Sequence, residues 1–482
     1  MPASVVHISD LHRDAGSRIT TSTLLESLRR DRNRYTSDGS IQKPELVVVS
    51  GDIVYGVTTT DDGSDARLKE QYKEAHEFLV RLADAFLAGD RERIIIVPGN
   101  HDISLPHVVR STEVVDLPVS SDARAFLGQQ FVQDGTPLRW SWSNLSMRRL
   151  TDVDEYNRRL SPYAEFYDNF YEGKRTFSLE PAKQFAIHDF PELGLVFGSL
   201  SSCHENDPFN RTGRIHPECI AGATGRVAEY TRRGRLAIAV WHHSIQGGPK
   251  ESDYVDADML QSLMDGGFVL ALHGHQHRPQ FIEHRFTADR KRNIVVLSAG
   301  TLCGGPGSLP SGRMRAYNVL IIDPEARQCT MHVRDMQNAD FSLPVWGDAH
   351  VAEFSGSSIT FPLAPSTARQ GTLIQVVAEA DRLLRVGDAK EAYRLVQPHI
   401  GDALARRLAV HALAALQDWN KIVTVIDAPT SPEEFIVLCE SLYELGRRDD
   451  LAKLLESSIA KHSEDLGVIQ AVALWRSRLG GR

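Results

Sequence analysis

The chain has few cysteines, no long apolar run and no excess of positive charge, and each shortage narrows what it can be. Its five cysteines (Cys203, Cys219, Cys303, Cys329 and Cys439) are an odd, scattered set with no CxxC pair. That excludes a disulfide-built scaffold and a structural zinc cluster, and it suits a reducing compartment. No stretch reaches the roughly 18 apolar residues of a membrane-crossing helix. Met1–His7 runs into an apolar strand without the basic and apolar regions of a secretion signal. A cytoplasmic protein with no membrane association is expected. The net charge of -9 argues against a surface built for nucleic acid. The short basic clusters Arg29-Arg30-Asp31-Arg32, Arg232-Arg233-Gly234-Arg235 and Arg290-Lys291-Arg292 read as solvated faces or turns, so nucleic acid is possible but not favoured as a partner.

What is present is a set of five short motifs in order: Asp10-Leu11-His12, Gly51-Asp52, Gly99-Asn100-His101-Asp102, His242-His243 and Gly274-His275-Gln276-His277. Together they supply the oxygen and nitrogen donors that two divalent cations sharing one carboxylate need. Alternate positions in Gly274-His275-Gln276-His277 aim two imidazoles the same way, and the glycine leaves room for close backbone approach. An isolated histidine is more often a satisfied core residue than a ligand. Five motifs in order are not explained that way.

Apolar runs end at the motifs: Val5–Ile8 before Asp10, Leu46–Val49 before Asp52, and Ile94–Val97 before Asn100. Such runs read as strands buried on both faces, with the polar residues on loops past their C-terminal ends, where ligands of α/β sheets gather. Ala66–Phe86 has helical spacing and reads as a crossover helix. Further runs lie at Phe185–His188, Leu195–Gly198, Leu236–Trp241 and Val269–Leu272. Ile294–Leu297, Tyr317–Ile322 and Cys329–Val333 read as antiparallel strands, and two packed sheets flanked by helices are the sum.

Residues 105–181 form an insertion with little strand pattern, rich in aromatics (Trp140, Trp142, Tyr156, Tyr163, Phe166, Tyr167, Phe170 and Tyr171). It is placed to cap the motif edge, its rings either forming a small core or stacking on a substrate base. Residues 346–370, rich in Ser, Thr, Pro and Ala, read as a linker. Residues 371–482 turn to helical spacing broken near Gly387, Gln417-Asp418 and Gly446. Leu384–Ala392 resembles the turn of a tetratricopeptide repeat, Leu445–Leu451 repeats it and Leu416–Trp419 is a weaker copy. Such repeats make a groove for a protein partner; a helical appendage that packs or self-associates is the other reading.

With these five motifs the chain resembles the calcineurin-like metallophosphoesterases over residues 1–345. The resemblance implies a four-layer α/β/β/α sandwich with a dinuclear metal centre at the sheet edge, followed here by an all-α helical-repeat domain. By that likeness Asp10, His12 and His277 hold one metal, Asn100, His242 and His275 the other, and Asp52 bridges them. Manganese is the expected metal, with iron, zinc or nickel compatible. His101 would donate a proton to the leaving oxygen or stabilise the transition state, and Asp102 would orient the imidazole of His101. Where the family often has His-His-Pro this chain has His242-His243-Ser244. His242, directly after its strand, is the expected ligand; His243 would support it or touch substrate, with Gly247-Gly248-Pro249 as a flexible rim. Arg13 and Arg278, each following a ligand motif, are candidate phosphate clamps.

The activity implied is hydrolysis of a phosphate ester, and His7–His12 looks most like the branch acting on cyclic nucleotides and other small phosphodiesters. The alternatives are a nuclease, a phosphoprotein or monoester phosphatase, and a partner-gated binding scaffold that works through the helical repeats.

Overall fold

The computed structural model describes residues 2–14, 19–133, 135–247, 253–285, 293–305, 308–310, 312–351, 354, 356–363, 376–377, 380–381, 383–385, 387–463 and 465–480. Arg290-Lys291-Arg292, Gly248 and Pro249, and the stretch 364–375 of the expected linker and helical region lie outside the described residues.

Strands β1 (Ala3–Ile8), β2 (Leu46–Ser50) and β3 (Ile94–Val97) lie parallel and are buried throughout. They alternate with helices α1 (Thr21–Ser37) and α2 (Ser64–Leu87). Helix α1 starts where Thr20 accepts from the Thr23 N–H, a side-chain cap on a free helical donor. Helix α2 buries Leu68, Tyr72, Ala75, Phe78, Leu79, Leu82 and Phe86, a stripe at three- and four-residue spacing that covers the sheet.

The insertion holds α3 (Leu105–Arg110), β4 (Thr112–Val115), α4 (Ser121–Phe131), β5 (Leu138–Ser141), β6 (Ser146–Leu150), α5 (Val153–Asn157) and α6 (Ser161–Phe170). Its three strands make a small sheet in the order β4-β6-β5, which the irregular sequence pattern did not announce. The aromatics divide. Tyr156, Tyr163, Phe166, Tyr167, Phe170 and Tyr171 join the main core beside α2 instead of forming one of their own, while Trp142 is exposed.

The second sheet is built from β7 (Phe185–Phe190), β8 (Leu195–Leu200), β9 (Leu236–Val240), β10 (Phe268–His273), β11 (Gln280–Arg285) and β12 (Asn293–Ser298), in the order β11-β12-β10-β9-β8-β7. Helices α7 (Pro217–Arg232) and α8 (Met259–Asp265) cover its outer face. The run at Ile294–Leu297 is a correction: β12 lies parallel to β10 and antiparallel only to β11. Strands β13 (Ala316–Asp323), β14 (Gln328–Met336), β15 (Trp346–Asp348) and β16 (Ser358–Pro362) return to the first sheet, ordered β15-β14-β13-β1-β2-β3 with β16 also on β14. The two sheets face each other through Val5, Val48, Ile95, Phe197, Ile238, Leu270 and Leu320. Burying each such side chain contributes about 1.5–3 kcal/mol. Helix, sheet, sheet and helix are the four layers of the sandwich.

The expected linker is also corrected. Trp346 is buried and donates its indole N–H to Ser27 Oγ at 2.9 Å, and Phe361 and Leu363 enter the core between the sheets. An aromatic anchor and a pairing strand outweigh a loop-like composition. The chain divides into compact units at 1–368 and 369–482.

Among its described residues the second unit has helices and no strand, with Ala389–Val396, Ala403–Ala415, Trp419–Val425, Pro432–Glu444, Arg448–Leu454, Ser458–His462 and Leu466–Gly480. Gly387, Gln417 and Gly446 all take left-handed φ, of 87°, 55° and 68°. The next N–H reaches back five residues in each case, Asp388 to Leu383, Asp418 to Leu413 and Arg447 to Leu442. One helix-ending motif thus recurs about every 30 residues. No helix among the described residues is long and apolar enough to cross a membrane.

Candidate metal centre

Each motif occupies the loop after a strand, and the backbone there is strained. Asp10, His12, Asp52, His275 and His277 all have positive φ, between 43° and 75°, a conformation that L residues other than Asn and Asp seldom adopt. The turns aim side chains from both sheets at one edge. Close approach explains two of the glycines. A Cβ on Gly99 would lie 2.2 Å from Asp52 Oδ1, and one on Gly274 would lie 1.7 Å from Ser9 Oγ.

Two nests result, sharing Asp52. In one, His277 Nε2 lies 3.2 Å from Asp10 Oδ1 and 3.2 Å from His12 Nε2, with His12 Nε2 3.9 Å from Asp52 Oδ2. In the other, Asn100 Oδ1 lies 3.1 Å from His242 Nε2 and 3.0 Å from His275 Nδ1, with His242 Nε2 3.3 Å from Asp52 Oδ1. Outer partners set the ring tautomers. His242 Nδ1–H donates to the Ser50 carbonyl at 2.8 Å and His277 Nδ1–H to the Ser308 carbonyl at 2.7 Å, so both turn Nε2 inward. The inward nitrogens of His242 and His275 are 3.3 Å apart. Lone pairs at such distances repel unless a proton or a cation lies between them. This all-nitrogen and oxygen donor set therefore fits divalent cations such as manganese, iron, zinc or nickel.

The electrostatics agree. Burial works against charge on Asp10, but the imidazoles of His277 and then His242 hold its carboxyl below the ordinary range. Asp52 is held low in the same way by His242, His101 and His12 against its own burial. Burial pulls His242 and His277 down, yet Asp52 and Asp10 respectively win and push both up to about 9. For His12 burial prevails, lowering it to about 4. Imidazolium protons and divalent cations answer the same need here, positive charge among buried carboxylates. A cation held here would displace those protons, so its affinity should weaken as pH falls below about 9, which metal titration at two pH values would read.

A family model for calcineurin-like phosphoesterases matches residues 3–279, more than half of the chain. The chain belongs to the calcineurin-like phosphoesterases. Solved structures with a similar fold include a dimetal phosphatase from Danio rerio, 12% identical, covering 76% of this chain and 100% of that one at a TM-score of 0.36. The calcineurin-like phosphoesterase YfkN from Bacillus subtilis is 11% identical, covering 75% and 90% at 0.30. Vps29 from Chaetomium thermophilum is 8% identical, covering 75% and 99% at 0.25. No curated protein matches the chain. As a member of its family the protein is a phosphoric ester hydrolase, of a class that works with a dinuclear divalent metal centre.

Of the remaining candidate residues in this phosphoesterase, His101 faces the centre. Its Nδ1–H donates to the Tyr55 carbonyl at 2.6 Å, and its Nε2 stands 4.0 Å from Asp52 Oδ2 on a side chain 39% exposed. Asp102 is a correction. It does not orient His101 but is wholly buried, accepting from the N–H groups of Gly99 at 2.8 Å, Ile53 at 3.2 Å and Val54 at 3.4 Å and from the Tyr72 hydroxyl at 3.2 Å. Burial and then the charge of Asp52 push its carboxyl up to about 7, while the Gly99 and Ile53 donors pull the other way. Four donors around it make it an acceptor that pins the Asp52 loop to the Asn100 loop. Asp102→Ala strands those donors, an expected loss on the order of 3 kcal/mol. The melting temperature should fall by roughly 4 °C. A wild-type melting curve for Asp102→Ala would contradict this pinning role.

Arg13 is likewise corrected. Its backbone bridges to Val54, which turns the side chain inward. There the guanidinium, 1% exposed, donates to Thr21 Oγ1 at 3.0 Å and lies 3.8 Å from Glu74 and above the Phe78 ring. It ties α1 and α2 to the sheet and does not face a phosphate. His243 is buried too, its Nδ1 bonded at 2.8 Å to Ser202 Oγ, which also accepts from the His242 N–H. Arg278 donates to Gln276 in its own loop. Sequence reasoning missed Asp253, whose Oδ2 lies 3.3 Å from His275 Nε2, and the carbonyls of Ser50, Tyr55 and Ser308. The carbonyls have no residue-type signature, and Asp253 belongs to no motif.

Proposed function

We propose that this phosphoesterase is a phosphodiesterase acting on a cyclic nucleotide or another small phosphodiester, with Asp10, His12 and His277 around one cation, Asn100, His242 and His275 around the other, and Asp52 shared. The convergence of these seven side chains into two nests around Asp52 carries the reading. When bound, two such cations supply Lewis-acid charge that activates an attacking water and offsets charge growing on the phosphoryl oxygens. The chain's own part is positional and protic. The Ser50 and Ser308 carbonyls hold two imidazoles in the ligating tautomer. His101, anchored by Tyr55, is the exposed imidazole at the rim and stands ready to pass a proton from Nε2 to the leaving oxygen.

The diester preference rests on the likeness of the His7–His12 segment to that branch and on the net charge of -9, which disfavours a long polyanionic substrate. Manganese is the proposed metal. The recurring turn at Gly387, Gln417 and Gly446 supports a tetratricopeptide-like second unit that recruits a protein partner or a second copy. Five buried free thiols suit a cytoplasmic setting.

Turnover of an aryl phosphodiester against its monoester, with added manganese, tests this. A diester preference is expected. A monoester preference would replace the reading with a phosphatase. Silence on both esters in manganese-loaded protein would favour a scaffold working through the helical unit.

A further inference from the structure

The ligand histidines differ in what holds their outer nitrogen. His242 and His277 lean on backbone carbonyls, those of Ser50 and Ser308. His275 turns its Nδ1 inward toward Asn100 and His242, and its Nε2 meets a carboxylate oxygen, Asp253 Oδ2, at 3.3 Å. An imidazole cannot present Nδ1 as a lone pair unless the neutral ring carries its proton on Nε2, and a carboxylate is the stronger acceptor for that proton. Such a partner fixes the ring, raises the basicity of the ligating nitrogen and typically changes metal affinity 10–100-fold.

Asp253 comes from a different element than His275. Ser244 is bridged to Tyr254, and the Val255 N–H donates to the Ser244 carbonyl at 2.7 Å. That pairing holds Asp253 beside the Gly274–His277 turn, where Gln276 Nε2 donates to the Gln246 carbonyl. Asp253 is 38% exposed, against 13% for His275, so it closes the nest from the solvent side.

From this geometry we infer that Asp253 is a positioning residue for one of the two cations. It orients His275 and thereby sets the affinity of the Asn100–His242–His275 nest without affecting the nest of Asp10, His12 and His277. The inference rests on the two-cation reading above. It makes the two sites unequal in a stated way: in Asp253→Ala the cation at His275 is the one a chelator removes first.

The test is stepwise manganese titration of the full chain by calorimetry, with chelator competition and a melting curve on each sample. The wild type should take two equivalents. In Asp253→Ala one equivalent should weaken about 10–100-fold while the other and the metal-free melting temperature stay unchanged. Asp253→Asn, which keeps a neutral acceptor for the His275 N–H, should fall between the two. If the wild type takes two equivalents and the Ala variant binds both as tightly, Asp253 has no such role. Equal weakening of both steps, or a lowered metal-free melting temperature, would mark Asp253 as merely structural and overturn the inference as well. A wild type that takes fewer than two equivalents would instead remove the two-cation reading on which the inference rests.

Discussion

Asp52→Asn should lose both cations and nearly all turnover, by about 10³-fold or more. Asp52 is the residue the two nests share: Oδ1 lies 3.3 Å from His242 Nε2 and Oδ2 3.9 Å from His12 Nε2. Asparagine keeps the shape, and its Oδ1 can still accept the His101 N–H now bonded at 2.9 Å, so the loop should stay folded. What changes is one oxygen, replaced by an amide that offers hydrogens where a lone pair faced His12, and the negative charge that two cations would share. Several kcal/mol of charge stabilisation disappear, and each 1.36 kcal/mol is tenfold in rate. Metal content by elemental analysis and diester turnover on the same sample check this. A variant retaining two metals and a tenth of the activity would show that Asp52 is no bridge.

His101→Ala should behave in the opposite way, keeping metal and stability while kcat falls about 10²–10⁴-fold, the usual worth of a positioned proton donor. The side chain is 39% exposed and its Nδ1–H goes to the carbonyl of the exposed Tyr55, so its removal leaves no buried group stranded. Its Nδ1–H is committed to Tyr55, so only a doubly protonated ring can give a proton from Nε2. The leaving group supplies the sharper readout. A nitrophenolate departs without help and an alkoxide does not, so the deficit should shrink as the leaving group improves. A deficit equal across leaving groups would mean that His101 stabilises charge and donates nothing; lost metal would make it a ligand.

The difference between these two residues shows what the sequence could convey. The strands before Asp10, Asp52 and Asn100 were legible because valine and isoleucine on both faces suit a covered sheet, and the motif residues follow directly after them. Asp102 misled because adjacency to His101 suggests a hydrogen bond, whereas the short turn at Asn100–Asp102 sends neighbouring side chains in opposite directions, one to the rim and one to the core. Arg13 misled for the same reason, with His12 in left-handed backbone just before it. Trp346 hid in a stretch whose composition is that of a linker, because its burial depends on Ser27, far away in sequence. Backbone carbonyls that orient ligands cannot be read from residue types at all.

The span between the two halves of the first nest bears on how the enzyme is made. His12 and His277 are 265 residues apart. A ribosome needs on the order of 10–50 s to cover that distance. Strand β1, which carries Asp10 past its end, also has β13 as a neighbour, so the strand is paired on both sides only after β13 has emerged. No nascent fragment ending before His277 holds the full donor set, so the first nest can close only after more than half of the chain has been made.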